Sequence, residues 1–111
     1  MGGYPPHLAP QAPIVRPLRV RALARQEIET AFDWYRKRSP SAAEGFLDAL
    51  DHALFQLASA PEQHLVVRGL LRRVLLVGYP YAVYYKVYPS VVTVVGVVHG
   101  RRHPRTWLRR A

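Results

Sequence analysis

The hydrophobic period of this chain changes once, near residue 64, and that change restricts the possible folds more than any other feature. Upstream of it, Ala24, Ile28, Ala31, Phe32 and Tyr35 recur at i, i+4, i+7, i+8 and i+11, one face of an α-helix. Arg25, Glu29, Asp33 and Arg36 take the other faces. This helix is expected to stop near Arg36-Lys37-Arg38, cations that suit the negative end of the helix dipole. Pro40 cannot continue it, and Ser41 with Glu44 fits a capping box for a second helix. Ala43, Phe46, Leu47, Leu50, Ala53, Leu54 and Leu57 then form a cleaner stripe, closed by Ala60-Pro61. Two helices joined by a tight link predict an antiparallel hairpin.

Downstream, apolar residues no longer recur with a helical period. Leu70 to Val77 is apolar with Arg72-Arg73 embedded, and Gly78-Tyr79-Pro80 marks a turn. Tyr81 to Tyr88 is rich in Tyr and Val, Pro89-Ser90 marks another turn, and Val91 to Val98 is nearly all valine. Such a run is expected of a central strand or one covered on both faces. These three segments predict an antiparallel meander. Before the helices, Arg16 to Arg21 alternates and reads as a strand shortened by Pro17. Pro104 to Arg110 is expected to close as one helical turn. The order is β-α-α-β-β-β, an α+β fold with a helical hairpin packed on a small antiparallel sheet. Residues 1–14, with their glycines and prolines, read as an extended lead-in, and 15–111 as a single domain.

Charge divides the chain in a second way. All seven carboxylates lie between Glu27 and Glu62, whereas Gln63 to Ala111 holds no acid, nine Lys/Arg residues and three histidines. The net charge is +9. An uncompensated positive surface favours polyanions or an acidic protein partner. No cysteine is present, which excludes disulfides, a thiolate zinc site and a cysteine nucleophile, and suits a reducing cytoplasm. No apolar stretch reaches the ~18 residues of a membrane span. No glycine-rich phosphate loop, Ser-His-Asp order or carboxylate pair is evident, and no cofactor is expected.

Arg73 on the first meander strand, and Arg101, Arg102 and Arg105 after the last, are expected to converge on one end of the sheet, where guanidiniums can hold phosphates. Arg72 and Arg73 are neighbours on a strand and point to opposite faces, so one alone can join the cluster. His99 and His103 flank two arginines and titrate in the range useful for acid–base work, although a strand-end histidine bonding the backbone is the commoner situation. No carboxylate or thiolate lies nearby in sequence to complete a metal site. His7, His52 and His64 read as surface residues. The tyrosines Tyr79, Tyr81, Tyr84, Tyr85 and Tyr88 could stack on bases, but cross-strand packing accounts for most of them. Trp34, Phe32, Phe46 and Phe55 fall on helical positions and read as packing residues or partner contacts. Trp107 is expected to fold back on the sheet.

Taken in order, Asp33-Trp34-Tyr35, Ser39-Pro40 with Ala43 and Phe46, Leu57 with Pro61, Arg68, Leu71-Arg72, Tyr81-Ala82-Val83-Tyr84-Tyr85 and His99-Gly100-Arg101-Arg102-His103-Pro104 with Trp107 resemble the RelE/ParE toxins of type II toxin–antitoxin modules. The resemblance runs from about Val15 to Arg110. It implies a cognate antitoxin as partner and one of two targets. RelE-like members cut mRNA on the ribosome with basic residues and a late tyrosine or histidine; here the matching set would be Arg73, His99, Arg101 and His103. ParE-like members inhibit DNA gyrase and lack that set. Leu75 and Ala82 stand where ribonucleases carry bases, and the His-Gly-Arg-Arg-x-Pro-x-x-Trp tail is closer to ParE. The expectation is therefore a gyrase inhibitor rather than an enzyme. Its target and antitoxin contacts would include Arg68, Arg72, Arg73, Arg101, Arg102, Arg105 and Trp107. Binding the ribosome and mRNA is the alternative, and a non-toxic nucleic-acid-binding module a further one.

Overall fold

The computed structural model describes residues 16–101 and 110. Seven regular elements follow one another: β1 (Leu18–Val20), α1 (Ala22–Arg36), α2 (Pro40–Ser59), β2 (Leu65–Arg68), β3 (Leu71–Leu75), β4 (Tyr81–Val87) and β5 (Val92–His99). A 3₁₀ turn, Pro61–Gln63, joins α2 to β2. The strands form one sheet in the order β1-β5-β4-β3-β2. The α+β hairpin-on-sheet architecture is as the periodicity implied, with two differences. The chain has an additional strand, β2, which extends the meander to four strands. The sheet is also mixed, because β1 lies parallel to β5.

The start of α2 also differs in detail from its sequence reading. Ser39, not Ser41, is the N-cap: its hydroxyl accepts from the Ala42 amide at 3.3 Å, and Pro40 occupies the first helical turn. Proline suits that place because its missing N–H would have had no helical partner there. Between β2 and β3 the chain reverses at Gly69, whose φ of +55° favours a residue without Cβ.

The main core lies between the hairpin and one face of the sheet. Ala24, Ala31, Phe46, Leu50, Ala53 and Leu57 from the helices meet Val74, Val83, Tyr85, Val92, Val94 and Val97 from the strands. At one end of this core, Tyr35 stacks on Phe46 (5.6 Å between centroids), and Tyr79 and Tyr81 meet Phe46 edge-on at 5.8 and 5.5 Å. Tyr79 also donates its hydroxyl to the Ala42 carbonyl (2.7 Å). The opposite sheet face carries a second buried cluster of Leu71, Ala82, Tyr84, Val95 and Val98. The valines of β5 are thus buried on both faces, as their unbroken run implied. The crowded tyrosines serve mainly in packing.

Tyr85 is fully buried and donates its hydroxyl to the Pro61 carbonyl at 2.7 Å, which ties the sheet to the end of α2. Burial pushes its phenol up from 10.0 to about 12, against an opposing pull from Arg72. A group with a raised folded-state value contributes stability in full below its unfolded value and loses it as pH rises through the folded one. The melting temperature of the native chain should therefore fall more steeply between pH 10 and 12 than that of Tyr85→Phe. Parallel curves for the two proteins would show that Tyr85 carries no such linkage.

Candidate functional site

Strand register distributes the cations. Arg19, Thr93, Lys86, Leu71 and Arg68 are successive cross-strand partners across all five strands. Direct partners share a face, so Arg19, Lys86 and Arg68 lie together on the side away from the helices, across roughly 19 Å at four inter-strand steps. In the neighbouring row Arg73 pairs with Leu65 on one side and Tyr84 on the other, and so joins the same face. The chain's seven carboxylates all lie on α1, α2 and the 3₁₀ turn. The face opposite the hairpin therefore carries bases with no acid on its strands.

The question left open by the Arg72-Arg73 pair is resolved by hydrogen bonds. Arg72 lies with Tyr85 on the helix side, and one of its terminal nitrogens donates to the carbonyls of Glu62 (3.0 Å) and His64 (2.9 Å). It closes the link between α2 and β2, and Arg73 is the member available to the basic face. Arg68 is exposed beside Gly69.

Where β3, β4 and β5 end together, a cavity of about 430 Å³ is lined by Arg73, Leu75, Tyr79, Ala82, Tyr84 and His99, among others. Leu75 and Ala82 are cross-strand partners on the same face as Arg73. His99 pairs with Tyr81, whose ring meets it edge-on at 5.1 Å, and so belongs to the other face. Its Nδ1 accepts the Arg101 amide at 3.0 Å. That bond leaves Nε2 as the protonated nitrogen of the neutral ring. Arg73, His99 and Arg101 thus gather at one end of the sheet, with Arg73 and His99 on opposite sides of it. Arg102, His103, Arg105 and Trp107 lie outside the described residues, as do His7 and all of the expected 104–110 turn but Arg110. His64 departs from its sequence reading: it is half-buried, with its ring edge-on to Tyr85 at 6.3 Å.

The sequence reading left every base of the tail uncompensated; Arg110 corrects this. Its guanidinium grips Glu27 of α1 through two bonds of 2.9 and 3.2 Å, and both side chains are only 15% exposed. The pair completes a sheet edge. β1 accompanies β5 only from Val92 to Val94, where the Arg21 amide still bonds the Val94 carbonyl. Beyond it, the Val95 carbonyl accepts from Arg110 (3.2 Å) and the Val97 amide donates to Glu27 (3.0 Å). Gly96 sits between them, and a Cβ there would collide with the Arg110 guanidinium. Two signals pointed here: a glycine inside a valine run, and a carboxylate flanking the apolar stripe of α1.

Among the described residues no helix is long and apolar enough to cross a membrane, and no cluster of three or more His, Cys, Asp or Glu could hold a metal. No curated protein matches the sequence. A solved structure of the "Chromosomal ParDE TA system from P. aeruginosa" matches with a TM-score of 0.67 at 13% identity, over 77% of this chain and 96% of that one. At that identity the likeness establishes the fold. The model of the family described as "ParE toxin of type II toxin-antitoxin system, parDE" matches residues 18–104. That span takes in every strand, both helices and the sheet-end cavity, and the chain belongs to the ParE toxin family of type II toxin–antitoxin systems.

Proposed function

We propose that this chain is the toxin of such a pair, that it inhibits DNA gyrase, and that an antitoxin with an acidic segment neutralises it. The observation that carries the reading is the basic sheet face, on which Arg19, Arg68 and Arg73 share one side while all seven side-chain carboxylates lie on α1, α2 and the 3₁₀ turn. A surface whose strands carry bases and no acids attracts an acidic partner and steers its approach. The cross-strand pair Leu75–Ala82 favours gyrase over mRNA as the target. It lies beside Arg73 where a ribonuclease of the wider RelE/ParE group would carry bases, and neither side chain can move a proton or hold a phosphate.

Induced expression in bacteria should produce filamentous cells and a DNA-damage response, and the purified protein should block gyrase supercoiling. The double variant Arg73→Ala/Arg101→Ala should retain its melting temperature and inhibit supercoiling about tenfold less well, equivalent to about 1.4 kcal/mol of lost contact. Immediate arrest of translation with supercoiling intact would replace this reading with ribosomal mRNA cleavage. Harmless expression, with no binding by the neighbouring gene's product, would remove both.

A further inference from the structure

The far end of α1 carries a feature that the basic sheet face does not use. Trp34 is 49% exposed, although an indole is among the costlier groups to leave in water. The Arg38 guanidinium lies 3.7 Å from the centre of its ring. One Arg38 terminal nitrogen donates to the Trp34 carbonyl at 2.9 Å and satisfies a carbonyl at the helix end. The stack is therefore held in place from both sides. It is also joined to the core: Trp34 meets Tyr35 edge-on at 5.0 Å, and Tyr35 stacks on the buried Phe46. A planar cation on an aromatic ring, built on a rigid base, loses little side-chain entropy when a partner arrives. Trp, Tyr and Arg are also the residues that dominate binding energy at protein interfaces.

We propose that the Trp34–Arg38 stack is a second docking point, for an acidic peptide segment of a protein partner that sets a carboxylate on the guanidinium and an apolar side chain on the indole. Charge selects the occupant. Residues 33–38 hold one acid, Asp33, against Arg36, Lys37 and Arg38, and Asp33 pairs with Arg36 at 3.6 Å. A second copy of the chain is disfavoured: a two-fold contact would set this basic cluster against itself in a protein of net charge +9. A nucleic acid is disfavoured too. Arg38 already stacks on the indole where a base would, and three neighbouring cations with an acid among them make no extended phosphate track. An Arg already stacked on an aromatic ring keeps further N–H donors for a bidentate carboxylate. The partner is the acidic antitoxin proposed above, and the inference rests on that reading only for its name.

The test uses the intact chain and a short fluorescein-labelled peptide of alternating Glu and Leu, with fluorescence anisotropy as the readout. A Lys/Leu peptide and oligothymidine serve as comparison probes. The Glu/Leu peptide should bind saturably. Arg38→Gln and Trp34→Ala should each weaken it about tenfold; Arg38→Gln should keep its melting temperature, and Trp34→Ala, which loses a half-buried ring, should keep a native circular dichroism spectrum at the assay temperature. Arg25→Gln removes the same charge from an exposed site on α1, away from the stack, and should weaken it less than about twofold. Equal losses in Arg25→Gln and Arg38→Gln would reduce the effect to net charge and overturn the proposal. Absence of saturable binding would overturn it, as would oligothymidine binding that depends on Arg38. Peptide binding is read without gyrase or toxicity, so a failure of the toxin reading leaves a distinct signature.

Discussion

Replacing Phe46 with Ala is expected to remove about 3–5 kcal/mol of stability, the range for truncating a buried aromatic side chain. A domain of this size has about 5–15 kcal/mol in total, so the variant should be largely unfolded or close to it. The loss is expected near the top of the range because Phe46 is 0% exposed and three other rings, Tyr35, Tyr79 and Tyr81, lie against it. They are anchored elsewhere, Tyr79 by its bond to Ala42, and cannot all move into the space left behind. Urea denaturation followed by circular dichroism measures the effect. A midpoint shift worth less than about 1 kcal/mol would mean that the ring cluster collapses freely and is not the keystone of this end of the core.

The second large effect concerns Glu27. Glu27→Ala should cost about 2–4 kcal/mol, because it leaves the Val97 amide without its acceptor and the Arg110 guanidinium without its counter-charge in a mostly covered site. Glu27→Gln should cost roughly half as much, since the amide oxygen can still accept from Val97 while the ion pair is lost. The ordering of the two variants separates the edge-capping role from the charge role. Thermal melts of both, together with Arg110→Met, decide the matter. If Glu27→Gln is as damaging as Glu27→Ala, the ion pair accounts for the whole effect. If neither moves the melting temperature, the unpaired edge of β5 finds water as readily as it finds Glu27.

Both helices were legible because their apolar stripes are long and the Ser-Pro junction separates them. β5 was legible because seven of its eight residues are buried, which the unbroken apolar run reflects. β2 was not. It has four residues, three of them exposed, and lies at a sheet edge directly after a 3₁₀ turn, so neither alternation nor a buried run marks it. The capping box at Ser41 and Glu44 misled because Ser39 offered the same chemistry two residues earlier, and the structure uses the serine that precedes Pro40. That only one of Arg72 and Arg73 can join a cluster was legible, since neighbouring residues on a strand must face opposite ways; which one faces away from the helices depended on the pairing of β3 with β4. Lys86 was overlooked, although period-two counting from Tyr84 would have placed it on the same face.

The sequence by itself determined the two helices and their hairpin, four of the five strands, and the segregation of acid from base, because helical period, strand period and local charge are written within a few residues of one another. Tertiary structure alone decided the parallel docking of β1 on β5, the row of cations across five strands and the Glu27–Arg110 clasp between residues 83 positions apart. The register shift between Tyr84 and Tyr85 belongs with these: it changes which β5 residues oppose β4, and so which side chains share a face. Such pairings depend on which edges remain unsatisfied once the sheet has formed, and no local pattern in the chain records that.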